Sequence, residues 1–185
     1  NGKSKTENSK LTLHDYEEKE NTDIIQETKT KPRIIADYRE KGSGVLKELI
    51  DKSDLSLEKL EIGDYLLSKR VVVEFKTVHD FVDSILDGRL LQQLKELKRY
   101  ERPVIIIEGI EDIYSVRKVH PNAIRGMLAT ISVSYGIPIM QTKTSRDTAE
   151  LLMVIAKREQ DEDKKSFTMH YAKPLSLKEQ QEYFI

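Results

Sequence analysis

The chain contains no cysteine, which excludes a disulfide framework and any thiolate-held zinc or iron–sulfur centre. That suits a reducing compartment, and an intracellular protein is the expectation. Neither sign of charge is in excess: 31 Lys and Arg against 32 Asp and Glu leave a formal net charge of -1. The chain as a whole has no electrostatic pull toward nucleic acid or a membrane surface, so any nucleic-acid surface must be a local patch. No apolar run approaches the ~20 residues that span a bilayer, and the N-terminus has no signal-peptide core; no membrane partner is expected. A phosphate-cradling glycine loop is missing too, since "KGSGVLK" (41–47) has neither the spacing nor the Lys-Ser/Thr pair. His79 sits at a helix start and His120 precedes a proline, so both read as turn or surface groups rather than bases. With no credible serine or cysteine nucleophile, activated water is the remaining attacking group.

What is present fits one domain with tails: 185 residues, 38% hydrophobic and 34% charged. The chain starts at Asn1 without a methionine and is expected to be a piece of something larger. Residues 1–31 mix both charge signs with Asn, Ser and Thr and few large apolar groups, too little to offset the entropy of ordering, and read as a disordered linker. Residues 32–160 read as the folded domain and 161–185 as a second linker, in which Ser176 with Glu179 is expected to cap a short helix. Within the domain, strand and helix alternate. "RIIADY" (33–38) is a buried strand, "GSGVLKELIDK" a helix with Val45, Leu46, Leu49 and Ile50 on one face, and "LSLEKLEIGDYLLSKRVVVEFK" a hairpin-like pair. Helices follow at about 77–87 and 88–100, a strand at 103–109, a helix at 122–135, a short strand in "IPIMQT" and a helix at 146–160. This alternation predicts an α/β layer with a central mixed sheet flanked by helices.

The chemistry concentrates in "EIGDYLLSKRVVVEFKTVHDF", residues 61–81. Strand alternation puts Val72, Glu74 and Lys76 on one face and Val71, Val73 and Phe75 on the other. An isolated Glu-x-Lys would be an ordinary surface ion pair of little worth. Asp64, set after Gly63 at the end of the adjoining segment, changes that: a hairpin-like path brings it near Glu74, where two carboxylates and several waters could share a divalent ion. Lys76 beside such an ion could position water or stabilise charge on a phosphate. Asp80 has two compatible readings, as the partner of Thr77 in a helix-capping arrangement or as a group orienting Lys76 or a bound water. Glu40, in "DYRE", is either a plain loop acid or a member of the same strand-end cluster.

These residues resemble a known family, the XPF-type structure-specific endonucleases, and within it the archaeal Hef-like nuclease domains. The family signature GDX(n)ERKX(3)D appears here as Gly63-Asp64, Glu74-Phe75-Lys76 and Asp80. The likeness extends over about residues 33–160, including "DYRE", "SILDGRL" and "VHPNAIRGMLATISVSYGIPI". The resemblance implies a restriction-endonuclease-like fold and a metal site formed by Asp64 and Glu74 with Glu40 close by, completed by Lys76 and Asp80. It implies Mg2+ or Mn2+ dependence and incision of forked, flap or other branched DNA, in repair or stalled-fork processing inside an archaeal cell. One position departs from the pattern: Phe75 stands where the family usually has arginine. Because Phe75 points away from Glu74 and Lys76, the metal site is expected to persist, while any contact made by the arginine's charge and forked donors is lost.

The segment "NAIRGMLATISVSYG" is apolar on more than one face, with Ala123, Ile124, Met127, Leu128, Ala129, Ile131 and Val133 exceeding one buried stripe. The expectation is that one face buries in the domain and the other in a second copy, giving a homodimer through residues 122–137, as the resemblance also implies. A preceding helicase region and a following helix-hairpin-helix module are implied as covalently linked neighbours. Lys95, Lys98, Arg99, Arg102, Arg117 and Lys118 read as solvated faces that could meet phosphates. The rival functional class is a catalytically silent dimerisation and branched-DNA-binding scaffold, opposed by retention of Asp64, Glu74, Lys76 and Asp80 and favoured weakly by Phe75.

Overall fold

The computed structural model describes residues 31–170, with side chains described through 162. The expected N-terminal linker and the Ser176-capped helix lie outside these residues. Among the described residues six strands form one sheet: β1 (Arg33–Asp37), β2 (Asp54–Glu58), β3 (Tyr65–Leu66), β4 (Val71–Thr77), β5 (Arg102–Glu108) and β6 (Ile139–Thr142). Their spatial order is β2-β1-β3-β4-β5-β6. β1 runs parallel to β2, and β4, β5 and β6 are mutually parallel; β3 alone is antiparallel to both its neighbours. The sheet is mixed, as the alternation predicts. The hairpin is the β3–β4 pair, whereas β2 leaves it to pair with β1.

Among the described residues five α-helices cover the faces: α1 (Gly44–Leu49), α2 (Val78–Leu86), α3 (Arg89–Leu97), α4 (Pro121–Ala129) and α5 (Ser145–His170), with a π-helical turn at Thr130–Ser134 after α4. α5 carries on through residues 161–170, so the helix continues where a linker was expected. Among the described residues no helix is long and apolar enough to cross a membrane.

Alternation along β4 and β5 builds two cores. Val71, Val73, Val104 and Ile106 pack with α1 and α5 residues such as Leu46, Leu49, Leu152 and Ala156. Val72, Ile105 and Ile107 pack with Phe81, Val82, Leu90, Leu94 and Leu97 of α2 and α3, and with Ile131. β4 is thus covered on both faces, which is why it reads as an unbroken valine run rather than an amphipathic strand. Each fully buried Leu, Ile or Val contributes about 1.5–3 kcal/mol of transfer free energy. At the end of β4 far from Lys76, the buried Glu159 of α5 takes ion pairs from Arg70 and Arg102, each at 3.0 Å. These anchor α5 across the starts of β4 and β5.

Candidate active site

Antiparallel β3 explains how distant acids meet. Its N-terminal end lies against the C-terminal ends of β1 and β4, so Asp64, just before β3, falls level with the end of β1 and with Glu74. The main chain fastens it there: Asp64 donates its N–H to Val73 O and its carbonyl accepts from Asp37 N–H, both at 2.8 Å. The turn into this position needs Gly63, whose φ is +75° and whose missing Cβ would sit 2.5 Å from Val72 Cγ2. Only glycine meets both demands without strain.

β3 pairs with β4 only through Tyr65 and Leu66. The N–H of Phe75 goes instead to Asp64 Oδ2 at 2.9 Å. Glu74 and Lys76, which share one face of β4, are each 7% exposed and paired, Nζ to Oε1 at 3.0 Å. The surface-ion-pair reading of this Glu-x-Lys therefore gives way to a buried one. Glu74 Oε1 also accepts from Gln93 Nε2 of α3 at 2.7 Å. One oxygen of each carboxylate is thus held by donors; Asp64 Oδ1 and Glu74 Oε2 take no hydrogen bond among the described residues.

Glu40 lies in the 3-10 turn after β1, where its Oε2 accepts from the Tyr65 hydroxyl at 3.2 Å. Beside it, the fully buried Asp37 accepts from the N–H of Arg39, from Arg39 Nε at 2.6 Å and from Leu60 N–H at 2.8 Å. Burial alone would raise the Asp37 carboxyl, but these bonds outweigh it and hold the group below the ordinary carboxylate range. Its neighbour behaves oppositely: Asp64 is pushed up to about 7, by burial first and by the charge of Glu74 next, with Glu40 adding to the effect. Glu40 is raised as well, chiefly by burial.

Asp80 is where the capping reading puts it. Thr77 is the N-cap of α2, accepting from Asp80 N–H at 3.1 Å and donating its hydroxyl to Asp80 Oδ2 at 2.7 Å, with Asp80 exposed. Phe75 points to the other face, its ring edge-on to Tyr65 with centroids 6.4 Å apart. Asp37, Arg39, Tyr65 and Gln93 were not singled out from the sequence. The first two stand in "DYRE" beside Glu40, and Gln93 is marked by a polar residue interrupting the buried stripe of Leu90, Leu94 and Leu97.

The donor set fits a hard divalent cation. Glu74 is paired with the Lys76 ammonium at 3.0 Å, and burial first, then the charges of Glu74 and Glu40, raise the Asp64 carboxyl. Among the described residues no three His, Asp or Glu form a ready metal-holding group. The expected trio is therefore not a closed cage, and Glu40 is tied to Tyr65. Two carboxylates completed by water match the habit of magnesium.

A mixed sheet with helices on both faces and an Asp…Glu-x-Lys cluster at a strand end defines the restriction-endonuclease-like class of nuclease folds. The ERCC4 domain matches residues 36–155, and the chain belongs to the ERCC4 domain family. It is 45% identical over 154 residues to MJ1505 of Methanocaldococcus jannaschii, which bears the name of an ATP-dependent RNA helicase; the match covers 83% of this chain and 19% of that protein. It is 34% identical over 139 residues to the 3'-flap repair endonuclease Xpf of Saccharolobus solfataricus, covering 72% of this chain and 58% of that one. Among solved structures, XPF from Aeropyrum pernix in complex with DNA superposes with a TM-score of 0.64 at 30% identity, covering 83% of this chain and 72% of that chain. The chain thus spans about a fifth of the first relative and just over half of the second.

Proposed function

We propose that this chain is the nuclease domain of a structure-specific DNA endonuclease that hydrolyses a phosphodiester of forked, flap or other branched DNA in repair or stalled-fork processing. The observation that carries the reading is the Asp64–Glu74–Lys76 cluster, with Glu74 and Lys76 buried and Asp64 half-buried, in which donors pin one oxygen of each carboxylate and leave the other open. Asp64 and Glu74 would hold Mg2+ or Mn2+, with Glu40 nearby, and the ion would supply Lewis-acid charge and lower the pKa of attacking water. Lys76, kept at the cluster by Glu74, offers its ammonium to the phosphate oxygens on which charge develops. Asp80 contributes through Thr77, fixing the turn from β4 into α2 one residue beyond Lys76. Asp37 holds Arg39 at the rim, where the guanidinium, 61% exposed, can meet the DNA backbone.

A homodimer through residues 122–137 belongs to this reading. Ile124 and Ile131 are buried in the domain, while Ala123, Gly126, Ala129 and Val133 are exposed, Val133 to 82%. A second copy would cover that small-residue face. The match to MJ1505 supports a covalently linked helicase region, and the two archaeal relatives support an archaeal, intracellular DNA-processing role; a helix-hairpin-helix module would follow the domain.

The test is incision of end-labelled fork, flap and plain duplex DNA with Mg2+ or Mn2+, comparing the chain with Asp64→Ala. Cleavage near the branch that disappears in the variant supports the nuclease. Binding of forked DNA by both proteins with cleavage by neither, even after arginine replaces Phe75, supports the scaffold instead.

A further inference from the structure

Gln93 is the one described side chain with a buried polar atom lacking a hydrogen-bond partner, its carbonyl Oε1. It lies on α3 between Leu90, Leu94 and Leu97, on the stripe packed beneath β4, where a leucine or methionine would serve the core without burying an amide. Its Nε2 lies 2.7 Å from Glu74 Oε1, the oxygen that also pairs with Lys76 at 3.0 Å. Turning the amide over would set its carbonyl oxygen against that carboxylate oxygen, acceptor against acceptor. Glu74 therefore fixes the amide's orientation, and the unpaired Oε1 is the consequence. A side chain kept only for packing has no reason to accept that arrangement.

We propose that Gln93 is a positioning residue of the metal site: together with Lys76 it holds Glu74 Oε1, so that Oε2 is presented beside Asp64 to a divalent cation. The inference rests on the metal-site reading under Proposed function. It separates two tasks on one strand face, with Gln93 supplying a neutral donor that stays on Glu74 while the Lys76 ammonium can turn toward phosphate. Groups that orient a metal-binding carboxylate in this way typically contribute about 10- to 100-fold to metal affinity.

The experiment uses Mn2+ alone as probe, following the paramagnetic resonance signal of free Mn2+ during titration of the 185-residue chain, of Gln93→Met and of Asp64→Ala. Melting of each metal-free protein is measured alongside. Gln93→Met keeps nearly the same volume and removes the orphaned carbonyl, so it should melt at the wild-type temperature or above while binding Mn2+ roughly 10- to 100-fold more weakly. Gln93→Ala should lose Mn2+ affinity to a similar extent, whatever it does to melting. Affinity within twofold of wild type in both variants overturns the proposal, and so does a lowered melting temperature with unchanged affinity, which would mark Gln93 as structural. If wild type and Asp64→Ala bind Mn2+ equally poorly, the metal site itself is refuted, an outcome distinct from loss at Gln93 alone.

Discussion

Replacing Asp64 by asparagine tests whether the acidic cluster strains the metal-free fold. The amide oxygen can still accept from Phe75 N–H, whose bond to Oδ2 is 2.9 Å, but the charge next to Glu74 is gone. The native protein holds the Asp64 proton up to about 7, against an ordinary value of 3.8. At about 1.4 kcal/mol per unit, that displacement has a ceiling on the order of 4 kcal/mol. Because Asp64 is only half-buried and solvent screens part of the interaction, about half of it is the expected net effect at this one position, ~2 kcal/mol. Between pH 4 and 7 the folded state binds more protons here than the unfolded chain. Stability therefore falls as pH rises through that window, and the loss is complete above about pH 7. Groups distant from this cluster are the same in both proteins and cancel in the difference. For a domain of this size 2 kcal/mol is about 4–8 °C in Tm. The assay is thermal melting in chelator from pH 4 to 8. The two proteins should melt together at pH 4, and Asp64→Asn should melt about 4–8 °C higher at pH 8. Adding Mn2+ should then stabilise wild type and leave the variant unmoved. Parallel Tm–pH curves, or a variant that melts lower at pH 8, would refute the idea that the Asp64 charge beside Glu74 strains the metal-free fold.

Two further substitutions probe the frame around the site. Gly63→Ala forces a side chain into a +75° φ and against Val72 Cγ2, and should cost about 1–3 kcal/mol, read as a lowered urea midpoint at unchanged m-value. Asp80→Ala removes the carboxylate that accepts from the Thr77 hydroxyl and should cost up to about 1 kcal/mol, while Mn2+ affinity stays within about twofold. A tenfold loss of Mn2+ binding in Asp80→Ala would instead put that carboxylate in the metal site.

Local pattern made much of the fold legible. Two-residue alternation through Val71–Lys76 assigns faces correctly, because a strand's side chains alternate whatever lies above and below it. Thr77 with Asp80 signals the start of α2 because both partners of the cap lie within four residues of one chain. Local pattern could not report how deeply the Glu-x-Lys face is covered, since α3, which lies over it, is separate in sequence. The end of α5 was misjudged for a related reason: charged residues beyond 160 look like a tail, and composition gives no sign that a helix already anchored through Glu159 and Gln160 continues through them. The roles of Asp37 and Gln93 were hidden because each is defined by a partner, Leu60 for one and Glu74 for the other, that lies about twenty residues away.

By itself the sequence determined which groups could do chemistry. It supplies no thiol, no phosphate loop and no placed histidine, but it does supply Asp64, Glu74 and Lys76 at spacings that one antiparallel turn brings into register. The tertiary structure alone decided what those groups become. β3 runs against both neighbours and so returns Asp64 to the end of β4, and α3 closes over the Glu74 face with Gln93. That burial turns what would be a surface ion pair into a buried one and raises the Asp64 carboxyl beside it, because desolvation and mutual repulsion depend on what surrounds a charge rather than on its place in the chain.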